Sequence, residues 1–229
     1  MAQFIANQNG PIRMLVSHRK KFIYTKTIKT AGTSVESYFE PYCMKEGEWS
    51  FTHARLEYIS DSGIIGCRTG QLLVIQASTW WNHMPAVTIK ALVGESIWDS
   101  YFKFCVIRNP FDKVVSAYHF FSPKASAPTL KQDFEAWLMS NPLPIDRSKY
   151  MIDGEFCMDG VIRYETLLQD IERICERLDI PYQPQNLKNL KVGHRPSKSL
   201  EEYYSAKSTE IVTNAYRYEL DKFGYTFPI

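Results

Sequence analysis

The stretch FIYTKTIKTAGTS, at positions 22–34, decides the fold. Its first four residues are mostly apolar and β-prone, which predicts a strand over Phe22–Thr25. A turn of lysine, threonine and small residues follows, and a helix is expected over Thr33–Phe39, ended by Pro41. Small residues at a helix N-terminus let backbone N–H groups approach an anion, and the helix dipole favours its binding. We therefore expect a phosphate-binding loop between this strand and this helix.

A second stretch, FCVIRNPFDKVVSAY at positions 104–118, has the same order of strand, turn and helix. A strand is predicted over Lys103–Ile107 and a helix over Asp112–Phe121. Arg108 ends the strand, where its guanidinium can grip a phosphate with two parallel hydrogen bonds. Ser116 lies about two helical turns further on and can donate to the same group. Because ligands bind at the carboxyl ends of parallel strands, both turns are expected at one edge of a sheet.

The remainder of the chain alternates strands and helices, which indicates an α/β domain with a central, mainly parallel sheet flanked by helices. Asp112 is expected to cap the helix of the second stretch. We expect one P-loop-like domain over 1–229, and whether 1–18 is an N-terminal extension stays open. Strands are also predicted over Leu72–Ala77 and Val161–Tyr164, an irregular region over Cys43–Gly70, and helices over Pro85–Val93, Leu130–Met139, Leu167–Leu178 and, as one or two helices, Glu201–Phe223.

The composition is that of an ordinary globular protein. The chain has 229 residues, of which 45% are hydrophobic and 14% aromatic, enough to bury a full core. Its net charge is only +2, so no broad basic surface indicates nucleic acid as a partner. The five cysteines lack the paired spacing of metal ligands, which predicts buried, reduced thiols and no metal site. No apolar run is long enough for a membrane span or a signal peptide, so we expect no membrane partner and a cytoplasmic location.

The loop at 26–34 is not a Walker A loop, because its lysines precede the glycine. Taken together with the Arg108 stretch, it resembles instead the cofactor-binding elements of sulfotransferases that use 3′-phosphoadenosine-5′-phosphosulfate (PAPS). The resemblance is closest to the carbohydrate-type branch that includes heparan sulfate 2-O-sulfotransferase, in a soluble, bacterial-type form. It covers nearly the whole chain but is specific only in these two stretches. One departure is Ile28, where the family usually carries proline.

The resemblance implies a role for each residue of the two stretches. Lys29 would be the catalytic lysine, reaching the oxygen between phosphate and sulfate, and Lys26 a second basic contact to the cofactor. Arg108 and Ser116 would hold the 3′-phosphate that distinguishes PAPS from ATP, and Arg195 would add a further phosphate contact. The alternatives are a lysine-rich helix cap for the first loop and a solvated basic loop around Arg195. The residues expected to hold the 5′-phosphate, beside Lys29, are Thr30, Ala31, Gly32, Thr33 and Ser34.

A histidine suits the proton transfer that sulfation of a hydroxyl requires near neutral pH. His83 lies in WWNHMPA, at positions 80–86, which resembles the family's histidine segment in position and order. His83 is therefore the favoured base and His53 the alternative, with His53 otherwise lining the acceptor pocket. A helix-capping role for His83 also stays open. His119 is expected to pack or to face solvent, and His18 has no supporting context.

The sequence indicates a class of acceptor. A chain without a broad basic surface suits a small hydroxylated molecule, such as a secondary metabolite, alkaloid or sugar, better than a long anionic polysaccharide. Trp81 is expected to line the acceptor pocket, although each tryptophan of the chain suits the core equally well. The expected enzyme is thus a PAPS-dependent tailoring sulfotransferase that releases adenosine 3′,5′-bisphosphate. The alternatives are a polysaccharide or N-sulfating sulfotransferase, a P-loop phosphotransferase and a non-catalytic nucleotide-binding module.

Overall fold

A six-stranded sheet organises the computed structural model, which describes residues 14–69, 71–81, 83–122, 129–188 and 199–228. The strands are β1 (Leu15–Ser17), β2 (Phe22–Thr25), β3 (Tyr58–Ser60), β4 (Gly63–Ile65), β5 (Phe102–Ile107), β6 (Met151–Ile152), β7 (Glu155–Phe156) and β8 (Gly160–Arg163). The sheet has the order β3-β4-β1-β2-β5-β8, and β6 and β7 form a separate hairpin. The mixed α/β class predicted from the sequence is thereby confirmed.

The parallel part of the sheet contains β2, β5 and β8. Strand β2 pairs with β5 from Phe22 opposite Phe102 to Thr25 opposite Cys105, and β5 pairs with β8 in the same direction. The predicted bounds of β2 match the structure, and those of β5 and β8 differ by one residue. Because β2 and β5 are parallel neighbours, the two motif turns leave the sheet at the same edge.

The antiparallel part contains β1, β4 and β3. Residues 15–17, within the region left open as an extension, form β1 between β2 and β4. The hairpin of β3 and β4 lies inside the region expected to be irregular, so that prediction was wrong. Three-residue strands are too short to show an alternating pattern, and here they depend on pairing with neighbours. Gly63 is needed because a Cβ there would collide with the Val16 carbonyl oxygen of β1.

Ten α-helices lie in the described residues. They are α1 (Gly32–Phe39), α2 (Leu72–Ala77), α3 (Ala86–Val93), α4 (Glu95–Ser100), α5 (Pro110–Phe121), α6 (Leu130–Ser140), α7 (Arg147–Tyr150), α8 (Leu167–Arg177), α9 (Ala206–Ala215) and α10 (Arg217–Phe223), with 3₁₀ turns at Glu40–Cys43, Tyr164–Thr166, Pro184–Asn186 and Leu200–Glu202. None of these helices is both long and apolar enough to cross a membrane.

The strand predicted over Leu72–Ala77 was wrong, because this segment is helix α2. A short apolar run fits a buried strand and a helix equally well. Leu73 is 80% exposed, so the run is not a buried strand, and within the described part of the chain the sheet order does not include this segment. The Ser78 hydroxyl donates to the Val74 carbonyl four residues earlier, which satisfies an acceptor at the end of the helix.

The chain divides into two units by its internal contacts. The first comprises the described residues of 1–27, 31–107 and 146–190 and contains the sheet. Its core joins the rings of Phe22, Phe39 and Phe104, whose centroids lie 5.1–5.8 Å apart, to apolar side chains of α8. Burial of each such ring contributes roughly 1.5–3 kcal/mol, so this core fixes β2 and β5 and the turns that follow them.

The second unit comprises the described residues of 28–30, 108–145 and 191–229. It is helical, and α5, α6, α9 and α10 surround an aromatic core. Tyr118 and Phe134 meet edge to face with centroids 5.4 Å apart, and the Tyr204 hydroxyl donates to the Phe111 carbonyl. This packing fixes the orientation of α5, because the helix buries Phe111, Val114 and Tyr118 in the core of this unit. The prediction of one domain over 1–229 stays a prediction.

Candidate active site

The loop after β2 begins with a residue that is tied to the sheet. The Thr27 hydroxyl donates to the carbonyl of Val106 on β5, and both groups are buried. This bond fixes the start of the loop against the neighbouring parallel strand. The first motif therefore leaves the sheet from a rigid point rather than from a loose strand end.

The loop then passes into α1 through residues with left-handed backbone. Lys29 and Ala31 have φ values of 60° and 58°, a region that costs a non-glycine residue about 1 kcal/mol or more. Ala31 is the N-cap of α1 and provides no side-chain capping hydrogen bond. N–H groups in a first helical turn have no intrahelical acceptor, so those of Gly32 and Thr33 can donate to an anion. Of the predicted 5′-phosphate ligands, Thr30, Gly32 and Ser34 are buried, and Lys29, Ala31 and Thr33 are half-buried.

Lys26 is held by an acidic side chain of α1. Its Nζ lies 3.1 Å from Glu36 Oε2 and donates to the Thr33 hydroxyl, also at 3.1 Å. Lys26 is 4% exposed and Glu36 is fully buried. Glu36 was not predicted from the sequence, although an acidic residue inside a mostly apolar helix face was a usable signal. The predicted contact between Lys26 and the cofactor stays a prediction.

Lys29 points its ammonium at an aromatic ring of α5. Its Nζ lies 3.8 Å from the centroid of the Phe120 ring, within the range of a cation–π interaction. Phe120 was not predicted as a site residue from the sequence. Its spacing of four residues from Ser116 places both on one face of α5, which was the signal that could have found it. Ser116 is half-buried on that helix.

Arg108 connects the two motifs. Its Nη1 donates to the Lys29 carbonyl at 2.8 Å, while Nε and Nη2 lie 2.7 and 2.6 Å from Asp112 Oδ2. The prediction that Asp112 caps α5 was wrong, because the Asn109 side chain accepts from the Phe111 N–H at 3.0 Å. At a spacing of four residues, the carboxylate of Asp112 pairs with the guanidinium instead. Arg108 is thus oriented on the backbone of the loop that carries Lys29.

His83 lies in a turn and contacts the first motif. Its Nδ1 is 2.9 Å from the Lys26 carbonyl oxygen. A carbonyl can only accept, so Nδ1 carries the proton and Nε2 of the neutral ring keeps its lone pair. The N-cap of α3 is Pro85, so His83 does not cap this helix. His83 therefore has the tautomer that a general base acting through Nε2 requires.

The remaining histidines and Trp81 of the sequence predictions make fewer contacts that indicate a role. His53 is exposed and meets Phe51 edge to face at 4.9 Å, and Trp81 is half-buried. His119 Nε2 lies 2.7 Å from the Tyr203 hydroxyl, so of the two roles expected for it the structure shows packing. Arg195 lies outside the described residues. Within the described part of the chain, no three His, Cys, Asp or Glu side chains form a group that could hold a metal ion.

Comparison with known proteins identifies the family. Residues 13–226 match the model of the sulfotransferase family, and the chain therefore belongs to that family of sulfuryl-transferring enzymes. A protein of Archaeoglobus fulgidus described as uncharacterized is 29% identical over 103 residues, which are 43% of this chain and 84% of that protein. No solved structure matches the chain significantly. Membership in this family favours sulfuryl transfer over the phosphotransferase alternative.

Proposed function

We propose that this protein transfers the sulfuryl group of PAPS to a hydroxyl of a small acceptor. The observation that carries the proposal is the Arg108 guanidinium, which follows β5 directly and donates to the carbonyl of Lys29. The guanidinium has five N–H donors, and its partner Asp112 is half-buried rather than fully buried as Glu36 is, so a nucleotide phosphate can share Arg108 with Asp112 and the Lys29 carbonyl. Family membership over 13–226 supports the same reaction class.

The donor groups of the chain fit such a nucleotide. The N–H groups at the start of α1 can hold a 5′-phosphate. The N-cap residue Ala31 has no side chain that accepts from these N–H groups, so an anion can accept from them instead. Arg108 and Ser116 would hold a 3′-phosphate, with Arg195 as a further contact. PAPS, when bound, supplies the sulfuryl group, and its remainder is adenosine 3′,5′-bisphosphate. The binding residues would fix this ligand so that the acceptor oxygen can approach in line.

The catalytic roles follow from the chemistry of the side chains. His83 would take the proton of the acceptor hydroxyl on Nε2 as the oxygen bonds to sulfur. Lys29 would stabilise the negative charge that develops on the leaving phosphate oxygen. His53 and Trp81 would contact the acceptor. The small net charge of the chain supports a small acceptor over an anionic polysaccharide.

The test is calorimetric titration with adenosine 3′,5′-bisphosphate, AMP and ATP without added metal. We expect the bisphosphate to bind more tightly than AMP. The Arg108→Ala variant should lose about 1.5–3 kcal/mol of bisphosphate binding, roughly 10- to 150-fold, because a charge-assisted contact to the 3′-phosphate is gone. Its affinity for AMP should change little.

Arg173→Ala is the matched control. Arg173 is an exposed arginine of α8 that pairs with Asp170 at 2.8 Å, so its removal changes the net charge equally without touching either motif. Its affinities should equal those of the wild type. An unchanged preference for the 3′-phosphate in Arg108→Ala, or no such preference in the wild type, would contradict the proposed function.

A further inference from the structure

The Lys26 side chain is committed to the protein rather than to a ligand. Its ammonium lies between Glu36 Oε2 and Thr33 Oγ1, each at 3.1 Å, and both charged residues are almost completely buried. A buried ammonium beside a buried carboxylate has its charge neutralised in place, and separating the two is costly. A cofactor phosphate would have to compete with Glu36 for this ammonium.

The stem of Lys26 also shapes the start of α1. A Cβ added at Gly32 would lie 2.9 Å from Lys26 Cγ and 3.0 Å from Lys26 Cε. The glycine of the first motif therefore leaves room for the lysine stem. The Tyr24 hydroxyl also contacts this glycine, because it donates to the Gly32 carbonyl at 3.2 Å. Lys26 thus packs along the turn that presents the N–H groups of α1.

The backbone carbonyl of Lys26 contacts His83, the proposed base. The Lys26 carbonyl accepts from His83 Nδ1 at 2.9 Å, which leaves Nε2 as the basic nitrogen. His83 itself has a left-handed φ of 49°, so its position depends on such contacts. The side chain and the carbonyl of Lys26 therefore link α1 to His83.

We infer that Lys26 is a positioning residue, which acts through its ion pair with Glu36 to hold the start of α1 and the tautomer of His83, and that it is not a cofactor ligand. The catalytic role of His83 in this inference rests on the proposed function. The Lys26–Glu36 ion pair and the His83 tautomer do not rest on it. Glu36 becomes functionally equivalent to Lys26, since removal of either charge disturbs the same arrangement.

The experiment is a double-mutant cycle with Lys26→Met and Glu36→Gln, which remove one charge each; glutamine keeps the length of glutamate, and methionine is one atom shorter than lysine. Each single variant should melt about 10 °C lower than the wild type, because it leaves one buried charge unpaired. The double variant should recover most of this loss. Nitrogen-15 NMR of the histidine rings should show His83 protonated on Nδ1 in the wild type and in the double variant, with a mixture of tautomers in the single variants.

Binding of adenosine 3′,5′-bisphosphate distinguishes a positioning residue from a ligand. We expect the double variant to bind it within about threefold of the wild type. If Lys26 contacts the cofactor, Lys26→Met and the double variant will both bind at least tenfold more weakly, and Glu36→Gln will not. That pattern, or melting losses that simply add in the double variant, would overturn the inference. The double variant alone decides between the two roles if a single variant cannot be purified.

Lys103→Met provides the matched control. Lys103 is also a buried lysine beside a carboxylate, with Asp159 Oδ2 2.8 Å away, but it lies near the amino end of β5, away from the motif turns. Its removal should lower the melting temperature and leave the His83 tautomer unchanged. If the wild type binds no bisphosphate, the proposed function fails, and the melting cycle and the tautomer still test the pairing by themselves.

Discussion

His83 illustrates how a single contact defines a chemical role. Its Nδ1 proton is held by the Lys26 carbonyl, so only Nε2 can receive a proton from an acceptor. His83→Asn should keep the donor to that carbonyl and lose the basic nitrogen. We expect turnover to fall about 10²–10⁴-fold, the usual contribution of general base catalysis, while bisphosphate affinity stays within about twofold. Steady-state rates with PAPS and a hydroxylated acceptor from a screen measure this.

His53→Ala separates the two candidate bases. His53 is exposed and contacts Phe51 rather than either motif, so its removal should leave the maximal turnover rate within about threefold. A change confined to the KM for the acceptor would agree with a role in the acceptor pocket. A loss of turnover in His53→Ala together with near-normal turnover in His83→Asn would reverse the assignment of the base.

Residue types were easier to predict from the sequence than residue partners. Arg108 was predicted because it follows an apolar strand, and Lys29 because its loop resembles that of the sulfotransferases. Their contacts with Asp112 and Phe120 were missed, although the Arg108–Asp112 spacing of four residues is a standard helical pairing. The capping role expected of Asp112 failed because Asn109 already supplied the capping oxygen.

At the start of helix α1, substitution of Gly32 tests whether helix propensity or packing determines the residue. Alanine is a better helix former than glycine by about 1 kcal/mol, so helix propensity alone predicts that Gly32→Ala stabilises the protein. Packing predicts the opposite, since the new Cβ would lie 2.9 Å from Lys26 Cγ. The lysine stem cannot easily move, because its ammonium is held by Glu36. We expect packing to dominate and the variant to lose about 1–3 kcal/mol in the free energy of unfolding.

The same substitution in a Lys26→Ala background isolates that contact. Removal of Cγ and Cε relieves the two shortest contacts of the new methyl group and leaves the Tyr24 hydroxyl at 3.2 Å, so Gly32→Ala should cost less there than in the wild type. Urea unfolding of the four proteins measures the coupling between the two positions. An equal cost of Gly32→Ala in both backgrounds would show that the Lys26 stem does not determine the choice of glycine.

Elements with a strong local pattern were predicted within one or two residues, and elements that depend on partners were not. Strands β2 and β5 are apolar runs that end in turn residues, so their sequences alone define them. Strands β3 and β4 have three residues each and depend on pairing, of β3 with β4 and of β4 with β1. The helix at Leu72–Ala77 was taken for a strand because a six-residue apolar run has no visible period.

At the scale of the whole molecule, most of the cysteine side chains lie in the buried interior. All five cysteines lie among the described residues, and the burial predicted for them is confirmed for four. Cys157 is half-buried and the other four are fully buried. Burial raises the pKa of Cys157 to about 11 and raises the pKa of Cys175 and Cys43 as well. Burial therefore disfavours the thiolate form of these three cysteines in the folded protein, and their reaction with a disulfide reagent at pH 7.5 should be slow until the chain is unfolded.

The same burial predicts how stability changes at alkaline pH. In the unfolded chain Cys157 titrates near its ordinary pKa of 9.0, and in the folded protein its pKa is about 11. The folded protein therefore retains a proton that the unfolded chain releases, so the contribution of Cys157 is complete below pH 9 and is lost as the pH rises through about 11. The free energy of unfolding in urea should be lower at pH 10.5 than at pH 8. Cys157→Ala should show a smaller decrease over this interval, because the variant lacks one of the groups that titrate differently in the two states. An identical decrease in the variant would mean that Cys157 titrates alike in both states and that its surroundings do not restrict the thiolate.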